Sequence, residues 1–169
     1  MFQKMLQGGG GNSQIDTAVM IYDCGKENTD IGIFDNIFAE NNLTPQITKT
    51  SNGIVFGHTN YWKGINLNKV IDLTEYSALY FEVEVGTLGR IQIGLANKTD
   101  ITDWSDYDNS RIGFVISTNE AGALNNIAVT ANSKNIITMN LKDTISNGSI
   151  VLAQVKGNMT IKRVYAIKK

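Results

Sequence analysis

The sequence contains one cysteine, one histidine and one proline. With Cys24 alone, no internal disulfide and no cysteine-rich metal site can form. With His58 alone, a zinc site would have to combine one imidazole with carboxylates, a donor set such sites rarely use. Ser-His-Asp chemistry would depend on that same ring, and nothing around it marks a catalytic base. The formal net charge is −1, which gives no basis for binding nucleic acid or an anionic membrane surface. No run approaches the roughly 18 apolar residues of a membrane-spanning helix. Lys4 is followed by no apolar stretch of signal-peptide type before the glycines begin. Phosphate loops, nucleophile elbows and zinc motifs are also missing.

The chain has 169 residues, 42% of them hydrophobic. That suits one globular domain with a real core. Its 19 Asn and its 12 Lys against 3 Arg match AT-rich coding, as in low-GC bacteria and their phages.

Period-two patterning dominates. In "LYFEVEV", Leu79, Phe81, Val83 and Val85 alternate with Tyr80, Glu82 and Glu84, the signature of a half-buried strand. "RIQIGLA" repeats it with Ile91, Ile93 and Leu95. "RIGFVIS" repeats it with Ile112, Phe114 and Ile116, and "NIITMNL" with Ile137, Met139 and Leu141. The closing "MTIKRVYAI" breaks alternation near Arg163-Val164, which predicts a bulge. Asn52-Gly53, between Ile47 and Ile54-Val55-Phe56, predicts a tight hairpin. No stretch carries a helical period over a full window. Only "TPQITKT" or the first seven residues could make a turn of helix. The expected fold is all-β, a single antiparallel β-sandwich of jelly-roll type over residues 12–169. Cys24, in an apolar run, is expected as a small buried hydrophobe.

Two loops carry the candidate binding chemistry. "KTDITDWSDYDNSR" interleaves Asp100, Asp103, Asp106 and Asp108 with Trp104 and Tyr107. Aromatic rings beside carboxylates suit a sugar, whose apolar face stacks while its hydroxyls donate. Asp103, Asp106 and Asp108 are also a calcium candidate, although the spacing is not that of an EF-hand. The plainer reading is a solvated connection with Asp and Asn as turn residues. "GHTNYWKG" places His58, Tyr61 and Trp62 in a second polar loop. They are candidate glycan or partner contacts, or Trp62 simply packs across one end of the core. Glu82 and Glu84 point the same way on a strand and are expected to be solvated. No cofactor and no catalytic residue is assigned.

Residues 1–11 read as a separate unit. In "MFQKMLQ", Met1, Phe2, Met5 and Leu6 fall at helical spacing, but seven residues hold no helix alone in water. Docking into a partner groove, or adding a strand to a partner sheet, would order them; the plainer reading is a frayed chain end. Gly8–Gly11 add slack reaching on the order of 10 Å.

"IYDCGKENTDI", with Tyr22, Gly25 and Glu27, opens a pattern continued by Lys69, Ile71, Asp72, Leu73, Thr74 and Tyr76. Together with the closing "MTIKRVYAIKK", it resembles a β-sandwich module of tail, fibre and baseplate proteins in tailed phages and phage-like particles of Firmicutes. The resemblance spans about Ala18 to Lys169, and it departs at Ile31-Gly32-Ile33-Phe34, where the family has Thr-Gly-Gly-Trp. It implies a non-enzymatic virion component on the particle surface, docked through its N terminus and present in several copies. It also implies possible contact with host cell-wall glycan. Two alternatives remain at this point: a free carbohydrate-binding module, and a glycan-degrading enzyme needing two carboxylates in a cleft.

Overall fold

The computed structural model describes residues 18–118, 128–141 and 145–169, apart from the side chain of Phe114. The proposed anchor residues Met1, Phe2, Met5 and Leu6 lie outside the described residues. In chain order the first strands are β1 (Ala18–Asp23), β2 (Lys26–Glu27), β3 (Phe34–Ala39), β4 (Ile47–Thr50) and β5 (Gly53–Phe56). Next come β6 (Lys63–Leu67), β7 (Ile71–Asp72), β8 (Tyr76–Val85) and β9 (Arg90–Ala96). A short helix α1 (Trp104–Ser110) precedes β10 (Arg111–Ser117), β11 (Ser133–Asn140), β12 (Asn147–Val155) and β13 (Met159–Lys168).

The strands form two sheets that face each other. Sheet I runs β11-β8-β13-β1-β2, with the β4–β5 hairpin joined to β13, and sheet II runs β10-β9-β12-β6-β3, with β7 on β12. The ladders between these strands are antiparallel. This is the expected β-sandwich. Alternation drives it: Leu79, Phe81, Val83 and Val85 of β8 meet Ile91, Ile93 and Leu95 of β9 in one core with Ile150 and Leu152. The polar alternates of β8 stay on the outer surface of sheet I. There Glu82 pairs with Arg163 at 2.7 Å and Glu84 approaches Lys162 at 3.4 Å.

The local motifs are structural. Asp72 Oδ1 accepts from the Thr74 N–H at 2.9 Å and the Thr74 hydroxyl at 2.6 Å, fixing the corner that launches β8. These bonds hold the Asp72 carboxyl below its usual range. Tyr22 is buried in the core, and Glu27 pairs with Lys49 at 3.1 Å. The β13 bulge falls between Ile161 and Arg163, beside the expected site.

Some expectations need correction. The β4–β5 hairpin turns on Ser51-Asn52, with Thr50 opposite Gly53, so the turn sits one residue before Asn52-Gly53. "TPQITKT" contributes β4 rather than a helical turn. Cys24 is half-buried in the β1–β2 turn at φ 46, not packed in the core. The alternation expected in β10 is interrupted by a register shift between Ile112 and Ile116, where Gly113 has φ 66.

Candidate functional site

The segment read as a solvated loop folds back over the outer surface of sheet II. Asn36 Nδ2 donates to the Ile101 carbonyl at 2.8 Å, and Asn66 Nδ2 donates to the Thr99 carbonyl at 3.0 Å. These side chains fasten residues 99–101 to β3 and β6. Helix α1 follows, which the sequence reading missed. Asp103 is its N-cap, accepting from the Asp106 N–H at 2.8 Å. Asp106 accepts from the Thr102 N–H at 2.9 Å and from Lys98 Nζ at 3.0 Å. The Thr102 bond, with Lys98 behind it, keeps the Asp106 carboxyl below its ordinary range. The available signal was the cap itself, an Asp followed three residues later by a second acid. Seven residues are too few to display a helical period.

The calcium candidate fares poorly. Asp103 and Asp106 are taken by N–H groups and Lys98, while Asp108 pairs with Arg111 at 2.9 Å. Among the described residues no three of His, Cys, Asp and Glu are grouped to hold a metal ion.

α1 brings the two predicted loops together. The Trp104 ring stacks on Trp62, with centroids 4.3 Å apart and planes within 11°. The Arg90 guanidinium lies 5.5 Å from the Trp62 ring centre, a cation–π distance. Trp62 is held by the 3-10 turn Glu40–Asn42: its N–H donates to Glu40 Oε2 at 3.1 Å, and its carbonyl accepts from the Glu40 N–H at 2.8 Å. Trp62 therefore packs on a neighbouring ring over sheet II rather than across the end of the core.

Tyr107 sits beneath this pair, edge-on to Trp104 at 5.2 Å and 5.9 Å from Phe38. It is fully buried and has no surface to offer a ligand, which corrects its candidacy as a contact residue. Burial pushes its hydroxyl up to about 12. Two strand glycines make room for the rings. A Cβ on Gly94 would lie 2.3 Å from the Tyr107 hydroxyl, and one on Gly64 would lie 2.4 Å from the Phe38 ring. Phe38, Ala96, Ile101, Tyr107 and Val151 thus form a second small core outside sheet II, with Trp104 against it.

The remaining candidates are at or near the surface. Tyr61 donates its hydroxyl to the Thr44 carbonyl at 2.6 Å, and His58 is exposed. Trp62, Trp104 and Arg90 are half-buried. The site therefore offers the exposed parts of two indoles and a cation. Its carboxylates are engaged in holding the scaffold. Such a set can bind a ligand by stacking and hydrogen bonding. It presents no activated nucleophile and no free acid–base pair.

No family model matches the sequence, and no curated protein matches it. Among solved structures, the fold is similar to a family 29 carbohydrate-binding module from Piromyces equi. The identity is 14% and the TM-score 0.53, over 90% of this chain and 91% of that one. A variant of another family 29 module, made to probe ligand recognition, matches at 10% identity and TM-score 0.52, over 89% of this chain and 84% of that one. At these identities the likeness establishes the class: an antiparallel β-sandwich with the fold of carbohydrate-binding modules.

Proposed function

We propose that the chain is a non-catalytic glycan-binding β-sandwich, displayed in several copies on a phage virion or phage-like particle and docked there through Met1, Phe2, Met5 and Leu6. The observation that carries the binding reading is the half-exposed Trp62–Trp104 stack with Arg90 beside it. Indole surface flanked by a fixed cation and hydrogen-bonding groups suits a sugar ring. The similar folds, which are carbohydrate-binding modules by name, support the same reading. A free carbohydrate-binding module shares every feature of the site and differs only in having no use for residues 1–11. The phage setting rests on the sequence resemblance alone.

The test is direct, because the chain has two tryptophans and both are in the stack. A glycan array identifies bound saccharides, and titration of intrinsic fluorescence with each hit reads this site specifically. Binding that shifts tryptophan emission and weakens at least tenfold in Trp104→Ala is expected. No binding to the array or to purified bacterial cell wall would overturn the reading.

A further inference from the structure

We propose that a groove on sheet I is a second saccharide site, distinct from the indole pair. This rests on the reading of the chain as a glycan-binding sandwich. The groove has a volume of about 490 Å³, within the usual range for small-molecule sites. Its floor is one cross-strand row at the ends of four strands. Lys134 of β11 stands opposite Glu84 of β8, Glu84 opposite Thr160 of β13, and Thr160 opposite Val55 of β5. Asn132 and Asn158 close one end beside Gly86, which bonds to both their backbones at 3.1 Å.

The lining chemistry selects the ligand class. The Asn132 side chain and the Thr160 hydroxyl make no hydrogen bond among the described residues, and Asn158 uses Oδ1 for the Thr87 N–H, leaving its amide donors. Glu84 is held loosely, with Lys134 at 3.9 Å and Lys162 at 3.4 Å on its two oxygens. Its two oxygens can accept from two adjacent hydroxyls of one ligand. Neutral amide donors, a free hydroxyl and one diol-accepting carboxylate over the apolar Val55 suit a polyhydroxylated ring. A peptide would want apolar anchor pockets. The exposed large hydrophobics, Met20, Ile37, Leu43, Val70 and Ile136, all lie outside this groove. Nucleic acid would want a basic surface and exposed stacking rings; here Lys134 stands against Glu84, and the Phe56 ring is buried.

The two sites have separable signals, since no tryptophan lines the groove. Cellopentaose, xylopentaose and chitopentaose are titrated into wild type and Trp104→Ala, followed by calorimetry, tryptophan emission and NMR of the side-chain amides. One of these saccharides is expected to move the Asn132 and Asn158 amide resonances in Trp104→Ala with no change in emission. Its affinity there should fall at least tenfold in Glu84→Gln and in Thr160→Val, with melting temperature checked for each. Binding wholly lost in Trp104→Ala, with the groove amides unmoved, overturns the groove and leaves the indole site standing. Groove amides that move while emission stays fixed in wild type support the groove and overturn the indole site. No binding by any readout overturns both.

Discussion

The indole of Trp62, just before β6, lies parallel to that of Trp104 at the start of α1, 4.3 Å away. The pair joins two loops across the outer surface of sheet II. Trp104→Ala should cost about 2 kcal/mol, from lost half-buried area and ring stacking. It should also red-shift the emission of Trp62. Trp62→Phe keeps a stacked ring and should cost less. Thermal melts and emission spectra check both.

Gly94 and Tyr107 make a second testable pair, because a Cβ at Gly94 meets the hydroxyl and only then the ring, at 3.5 Å. Gly94→Ala should destabilise by roughly 1–3 kcal/mol through overpacking. The buried Tyr107 hydroxyl lies beside the Gln92 amide but makes no hydrogen bond of good geometry among the described residues, so Tyr107→Phe alone should cost little. In the double variant the clash disappears, and a double-mutant cycle should show recovery of much of the loss. Strict additivity of the two changes would refute the contact.

Lys63 gives the protein an unusual pH profile. It is fully buried, its ammonium donating to the Thr59 hydroxyl at 2.9 Å. Burial lowers it to about 8. Its cross-strand neighbour Gln154 has both amide atoms buried without partners among the described residues. Between pH 8 and about 10.5 the unfolded chain holds this proton and the folded chain does not, so stability rises with pH there, by on the order of 3 kcal/mol. Tyr22 and Tyr107, both pushed up to about 12 by burial, act oppositely. Above about pH 10 the unfolded chain loses these protons first and stability falls. Denaturation midpoints should therefore peak near pH 10. Lys63→Met should flatten the rising limb and raise stability at pH 7.

If residues 1–11 are a docking segment separate from the sandwich, as proposed, their removal should leave the melting temperature unchanged. Incorporation into particles should be lost. Normal incorporation of the shortened chain would refute the anchoring role.

The parts of this fold legible in the sequence are those governed by nearest-neighbour alternation. Strands β8 and β9 and the Asp72–Thr74 corner are of this kind. Sheet II hid more, because its outer surface is covered. From Gly148 to Gln154, β12 is buried at every position, so alternation gives way to a run of small and apolar residues. The signal was smallness: Gly64, Gly94 and Ala96 are positions against which rings pack. The meeting of Trp62 with Trp104 depends on the path of two loops, which no local pattern encodes. Lys63 was hidden for another reason: its type signals a surface, yet it shares the inward face of β6 with Ile65 and Leu67, where the Thr59 hydroxyl takes its ammonium.

β13 pairs with β1 through Arg163–Ile167 and with β5 through Met159–Ile161, on one edge, either side of the bulge. Ala18 therefore lies beside Ile167, at the end of β13 remote from Thr160. This arrangement sets how the domain carries mechanical load. Tension applied at Ala18 and Lys169 opens the β1–β13 ladder from one end, breaking its bonds in turn. Tension entering at Ala18 and leaving through a ligand at the Thr160 end runs along the strands, perpendicular to the inter-strand bonds. All of them then share the pull, so a domain held at its N terminus and bound to a surface at the Thr160 end would resist along its strands.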